Sequence, residues 1–506
     1  MGGSRVNRNS RPRGQNNMFL TRGLVAAAVV AMVVAACGTP AATPSASRSA
    51  SPSGTPSPTP IATWQPPASL GPSATEAPSE SPTPSVSASP STKLAAFPMV
   101  MGSAPLAAPA ADWGAVAGTE INDFGLNLFR QLATKSNVCL SPTSIALALA
   151  MVRPGAKGQT AAEMDKVLPG LGTAADASEL AALMRSFAEA TQYLDANGAP
   201  LGPDATPDPA NPNPVTELEV SDQAFIQQGM AVEQAYLDAI SSRFGAGVGL
   251  LDFKNDPEAA RLVINKWASD QTKGRIPEVL KPGTVTKADR VALANAIYLK
   301  AAWLSKFDPK LTKQAAFTTA AGTKVSVPTM AIDQTFGYSA GAGYKAVELP
   351  YSGGMSMTVV VPDDMASFVS GLTAAKLSKL IVYGDQTYDV DLTLPRFSID
   401  TSFELSGALE AMGMPTLFSS AADLSGVTTD EQLHVGSVIH EANIDVVESG
   451  TTAAAVTVVL MATGGGGPQE PPIKVQFHVN KPFLYFIRDN IDGALLFMGR
   501  VDDPSK

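Results

Sequence analysis

Residues 448–483 read ESGTTAAAVTVVLMATGGGGPQEPPIKVQFHVNKPF, and this stretch decides how the rest of the chain is read. It begins with small uncharged residues, Gly450 to Ala455. It passes through the β-prone run Val456–Leu460, meets consecutive glycines at Gly464–Gly467, and ends in a strand-like run before Pro482-Phe483. No charged side chain lies between Glu448 and Glu470. A flexible Gly/Pro segment thus follows a segment composed to become a strand. A chain able to be loop or strand can act as a switch.

Alternation sharpens this. As a strand, Thr451, Ala453, Ala455, Thr457 and Val459 would share one face, and Thr452, Ala454, Val456 and Val458 the other. Neither face carries a charge, which would oppose entry into a core. Just upstream, Val435–Val447 reads as a half-buried strand. Val438, Ala442, Ile444 and Val446 share one parity with His440, while Ser437, Glu441, Asn443 and Asp445 share the other. A histidine on the apolar side is a hydrogen-bonded core group or a base; the residues favour the first, because unpartnered burial is costly.

The chain has 506 residues, a formal charge of -10 and a pI near 5.0. With no basic stripe, nucleic acid is excluded as a partner. Residues 38–97 are dominated by Ser, Thr, Pro and Ala and cannot bury enough apolar surface to order themselves. The remainder suffices for one large core. At the N-terminus, Arg5, Arg8, Arg11, Arg13 and Arg22 precede an apolar run from Leu24 to Ala36, too short for a comfortable span. It closes Val34-Ala35-Ala36-Cys37-Gly38, which resembles a bacterial lipobox with Cys37 as the lipidated residue. The other reading is an ordinary signal peptide with an incidental cysteine. The expected organisation is a signal peptide (1–36), a lipid-anchored tether (37–112) and one domain (113–506), held at the extracellular face of a bacterial membrane. Cys139, in Val138-Cys139-Leu140, is expected to be a buried inert thiol.

Helical spacing covers 121–132, a Ser141-capped helix opens at Pro142, and 159–168, 178–190, 233–243 and 259–272 read as further helices. Strands are expected at 217–226, 291–300, 325–330, 345–350, 355–361 and 388–394. Ala196–Pro214 reads as a surface insertion. Helices come first, then strands with helices interspersed, which is an α+β order.

Several ordered motifs now converge. Asn122-Asp123-Phe124-Gly125, Ser141-Pro142-Thr143-Ser144-Ile145, Ile264-Asn265-Lys266-Trp267 and Thr272-Lys273-Gly274-Arg275-Ile276 are followed by Asn295-Ala296-Ile297-Tyr298-Leu299-Lys300 with Trp303. Leu394-Pro395-Arg396-Phe397, Ala422-Asp423-Leu424-Ser425-Gly426 and Leu496-Phe497-Met498-Gly499-Arg500-Val501 complete the set. Over 119–503 the chain resembles the serpins, suicide inhibitors of proteases. The resemblance implies three β-sheets, about nine helices and an exposed reactive-centre loop, here 448–472, that can enter the large sheet.

It also implies roles. Glu448, Gly450, Thr451, Thr452, Ala453, Ala454, Ala455 and Thr457 match the loop hinge. Ser141, Ser144, Asn295 and His440 match the shutter, expected as one buried hydrogen-bond cluster, and Trp303 matches the breach. Counting from Gly450 places the scissile bond after Thr463, at Gly464, whereas counting back from Pro482 points toward Pro468. The favoured region is Met461, Ala462, Thr463, Gly464 and Gly465. About a dozen new ladder bonds at about 0.5–1.5 kcal/mol net each would favour insertion by on the order of ten kcal/mol. No Lys or Arg occurs between Arg396 and Lys474, so trypsin-like enzymes are poor targets. Elastase-, chymotrypsin- or subtilisin-like proteases, or papain-like cysteine proteases, suit Leu460–Thr463 better.

Two other functions compete. A serpin without insertion would be a binding module, and the tetraglycine is odd bait. An enzyme would need a catalytic group, yet the three histidines are His434, His440 and His478, and no Gly-x-Ser-x-Gly or His-Glu-x-x-His occurs. His434 and His440 share a parity without a further ligand, so no metal or cofactor is implied. The expected partner is a target protease held covalently by a monomeric inhibitor.

Overall fold

The computed structural model describes residues 97–112, 114–133, 137–194, 200–201, 215–381, 387–436, 438–451 and 473–506. Among them are nine helices: α1 (Ala115–Leu132), α2 (Pro142–Val152), α3 (Gly158–Val167), α4 (Ala177–Ala190), α5 (Gln234–Phe244), α6 (Pro257–Gln271), α7 (Met365–Ser370), α8 (Ala374–Ile381) and α9 (Ser406–Met412). The first strands in chain order are β1 (Met99–Val100), β2 (Val138–Leu140), β3 (Tyr193–Leu194), β4 (Pro200–Leu201), β5 (Thr216–Gln227), β6 (Val248–Leu251) and β7 (Val291–Ala302). Then come β8 (Lys313–Thr318), β9 (Lys324–Gly341), β10 (Tyr344–Pro350), β11 (Met355–Pro362), β12 (Thr387–Pro395) and β13 (Phe397–Glu404). The last are β14 (Ile439–Val447), β15 (Gly450–Thr451), β16 (Lys474–His478), β17 (Phe483–Asp489) and β18 (Leu495–Val501).

The architecture is the α+β one expected. A seven-stranded sheet runs β1-β6-β5-β7-β15-β14-β13. A nine-stranded sheet runs β16-β12-β9-β10-β11-β17-β18-β2, with β8 beside β9, and β3 pairs with β4. Two of the sheets expected to be separate join, because β9 is long enough to pair with β8, β12 and β10 in succession. The β3–β4 hairpin begins the expected insertion, most of which lies outside the described residues.

Helix α2 lies between the two large sheets and touches β7 and β18. Its sequence PTSIALALAMV is apolar on nearly every side, as a helix buried all round must be. On the opposite face of the seven-stranded sheet, α6 packs Ala260 and Ile264 against Phe225, Phe253 and Ala294. The buried Cys139 thiol sits on β2, and burial pushes it up to about 12, so it stays protonated.

Of the stretch expected as a tether over 37–112, residues 97–112 instead pack on the domain. Met99 and Val100 pair antiparallel with Gly249 and Val248, adding an edge strand to the large sheet. Phe97 packs edge-on against Phe225 at 5.0 Å, in space left by Gly249, where a Cβ would lie 2.9 Å from the Phe97 ring. Asp238 accepts from the Ser103 and Ala104 amides at 2.7 and 3.2 Å, and Ala107 N–H donates to Ser242. The segment binds because β6 offers an unpaired edge, which its own apolar content does not reveal. Deleting residues 1–107 is expected to cost roughly 2 kcal/mol through the lost ladder and aromatic contact. A urea midpoint lower than that of a chain starting at 97 would show it.

Candidate functional site: a strand-sized slot with its hinge seated

Strand β14 points His440, Ala442, Ile444 and Val446 into the core, in the parity read from sequence. It begins at Ile439 and not at 435, so His434 precedes it and the two histidines share no strand face. After Val447 the chain turns through Glu448 and Ser449 and re-enters the sheet as β15. Thr451 pairs with Val446 on one side and Ala301 on the other. Below Thr451, among the described residues, β7 and β14 pair with nothing between them. The slot is one strand wide, and its first two places are filled.

Side-chain and backbone hydrogen bonds hold the hinge there. Glu448 is buried and accepts from Arg396 Nε at 2.8 Å and from the Thr312 hydroxyl. Burial alone would raise its carboxyl, but these donors more than offset that and hold it below the ordinary value. Trp303 Nε1 donates to the Val447 carbonyl at 2.9 Å, and its amide donates to Ser449 O at 3.0 Å. Trp303 stacks on Tyr351 at 4.2 Å, and the Tyr351 and Thr451 hydroxyls are bonded. Gly450 has φ 148, and a Cβ there would sit 2.0 Å from Ala301 O. Glycine alone fits that approach.

The remaining hinge residues Thr452, Ala453, Ala454, Ala455 and Thr457, the scissile candidates Met461, Ala462, Thr463, Gly464 and Gly465, and Cys37 lie outside the described residues.

Lower in the slot is a cavity of about 110 Å³ lined by Ser144, Ala148, Leu293, Asn295, Val438 and His440. Ser141 caps α2, its Oγ accepting from Ser144 N–H at 3.2 Å, while its own N–H donates to His440 Nε2 at 3.1 Å. That contact fixes His440 as a neutral imidazole, and burial lowers its pKa to about 3. Asn295 departs from the expected single cluster. It lines the same cavity, but its amide donates to Asp222 on the neighbouring strand β5. The side chains of Asn295 and Asp222 face each other across a registered β5–β7 pair, which sets their partnership before His440 is in reach.

Sequence reading missed Asp222, Tyr351 and Thr312 as members of the site. Asp222 had a signal: it is the one acid in the parity of Leu218, Val220, Ala224 and Ile226. The other two come from distant segments and carried none.

The turn after α6 crosses this slot. Lys273 Nζ reaches Glu219 on β5 at 2.8 Å, and two residues later Arg275 Nη1 reaches Asp445 on β14 at 2.7 Å. Exposed ion pairs are individually weak. Replacing Lys273 and Arg275 together by Gln is therefore expected to speed loop insertion only about two- to fivefold, read as conversion to a heat-resistant form.

Residues 119–504 match the family model for serpins, described as serine protease inhibitors. Iripin-8 of Ixodes ricinus is 34% identical over 390 residues, covering 75% of this chain and 92% of its own. Leukocyte elastase inhibitor of Bos taurus is 32% identical over 75% of this chain and 97% of its own. The solved structure of Serpin48 from Tenebrio molitor superposes with a TM-score of 0.62 at 27% identity, covering 76% of this chain and 97% of that one. The native thermophilic serpin tengpin, at 23% identity and covering 80% of this chain and 97% of its own, has the same fold with a TM-score of 0.65. The chain belongs to the serpin family.

Proposed function

We propose that this chain is an inhibitory serpin that traps extracellular proteases irreversibly. A target protease attacks the loop within 461–465 and forms an acyl-enzyme with the new carboxyl end. The freed hinge segment then slides into the slot between β7 and β14, carries the enzyme away and distorts its active site before hydrolysis. The chain supplies no catalytic group. The observation that carries this reading is the seated hinge: Gly450 and Thr451 lie between β7 and β14 and pair with both. The relatives named leukocyte elastase inhibitor, together with the absence of Lys and Arg from 397–473, favour elastase-, chymotrypsin- or subtilisin-like targets, or papain-like cysteine proteases, over trypsin-like ones. Lipid on Cys37 would hold the inhibitor at the outer face of a bacterial membrane, with the Ser/Thr/Pro/Ala tract as tether.

The test is incubation of a chain starting at 97 with elastase, chymotrypsin, subtilisin and trypsin. A detergent-stable complex with one of the first three and none with trypsin is the expected result. Clean loop cleavage with no complex, and no gain in heat resistance, would establish a binding module in place of an inhibitor. Metabolic labelling with a fatty acid, lost in Cys37→Ala, checks the anchor.

A further inference from the structure

Strand β5 carries one acid on its inward face, Asp222, and β7 sets Asn295 directly against it. The Asn295 amide donates to Asp222 Oδ1. Among the described residues, two buried oxygens of this one bonded pair, Asp222 Oδ2 and Asn295 Oδ1, are left without a partner. A carboxylate offers acceptors only and leaves both oxygens orphaned. A carboxylic acid has a hydroxyl to donate, and an acid facing an amide can close a two-point ring that satisfies all four groups.

We infer that Asp222 keeps its proton in the closed native sheet, donating to Asn295 Oδ1, and that loss of this proton favours opening of the β7–β14 slot. Among the described residues, no cation stands against the pair. Helix α2 brings Pro142–Val152, which has no ionisable side chain. From β14 comes His440, neutral and bound to Ser141 N–H. Helix α4 meets β5 at the other end, where Thr191 accepts from Leu218 N–H, and its Arg185 and Glu189 pair with each other at the surface. Burial accordingly raises the Asp222 carboxyl to about 7, with the Asn295 hydrogen bond opposing only in part.

The link to opening runs through Asn295, which lines the cavity in the slot. An ionised Asp222 needs water, and the slot is the route by which water reaches this pair. A state in which the carboxyl is wetted has the lower pKa, so rising pH selects that state. The place of the proton rests on the structure alone, whereas its effect on insertion rests on the mechanism proposed above.

Asp222→Asn decides the first point, because an amide mimics the protonated acid and reproduces both hydrogen bonds. The folded pKa lies above the ordinary value of 3.8. The wild-type contribution is therefore full below about pH 4 and lost as pH rises toward about 7. Urea midpoints of wild type and D222N are expected to agree at about pH 4 or below and to diverge above it, with wild type the weaker. A wild type that gains on D222N as pH rises, a constant difference, or a D222N chain that cannot fold would each overturn the proposal. Glu120, Asp176 and Asp492 are also raised by burial, but they persist in both chains and cancel in the comparison. For the second point, conversion to the heat-resistant form should quicken roughly tenfold from pH 5 to pH 8 in wild type, about one unit of linkage, and stay nearly flat in D222N. Equal slopes would remove the coupling to opening. No conversion in either chain, with the urea result intact, would instead refute insertion and leave the proton in place.

Discussion

Thr451→Glu is expected to turn the inhibitor into a substrate, cutting the yield of detergent-stable protease complex at least tenfold while loop cleavage continues. Thr451 is 2% exposed, seated between Val446 and Ala301 with its hydroxyl on Tyr351. A carboxylate there has no cationic partner among these neighbours. Burying it unpaired costs several kcal/mol, about the size of effect seen when a buried pair loses one member. The hinge can escape this cost before cleavage by leaving the top of the sheet, so the closed form should keep most of its stability. It cannot escape afterwards, because every later loop residue must follow Thr451 into the slot. Deacylation then outruns insertion. Gel analysis with chymotrypsin separates the outcomes, and an undiminished complex would remove Thr451 from the insertion path.

Acid is expected to weaken the closed form through His440. The imidazole is buried, accepts from Ser141 N–H at 3.1 Å, and has its pKa lowered to about 3 by burial. Its folded value lies below the ordinary 6.5. The stabilisation is therefore present above about pH 6.5 and lost as pH falls toward 3, for a total on the order of several kcal/mol. His440→Gln keeps an acceptor for Ser141 without the titration. Its unfolding midpoint should fall less between pH 7 and pH 4 than that of the wild type, and identical acid limbs would sink the assignment. Asp222 acts in the opposite sense, so the closed sheet should be most durable at mildly acid pH.

The site was legible to the extent that it obeys local periodicity. Period-two alternation put His440 with Ala442, Ile444 and Val446 on the buried face, and the Ser141-Pro142 cap placed the start of α2 correctly. Small uncharged hinge residues announced a segment fit to enter a sheet. Strand ends were less legible: Val435–Val438 has strand composition, yet the ladder of β14 with β13 begins only at Glu404↔Ile439. Pairing is a property of the neighbour as much as of the segment.

The amino-acid sequence by itself determined the α+β class, most helices, the central strands and the absence of Lys and Arg from 397–473. These follow from side-chain pattern and chain chemistry, which act over a few residues. The tertiary structure alone decided that Asn295 bonds Asp222 and not His440, that the expected tether supplies an edge strand at Met99–Val100, and that Glu448 is gripped by Arg396 and Thr312. Each joins segments tens to hundreds of residues apart. Such contacts are chosen by sheet order and register, and no local pattern encodes which distant strand will arrive alongside.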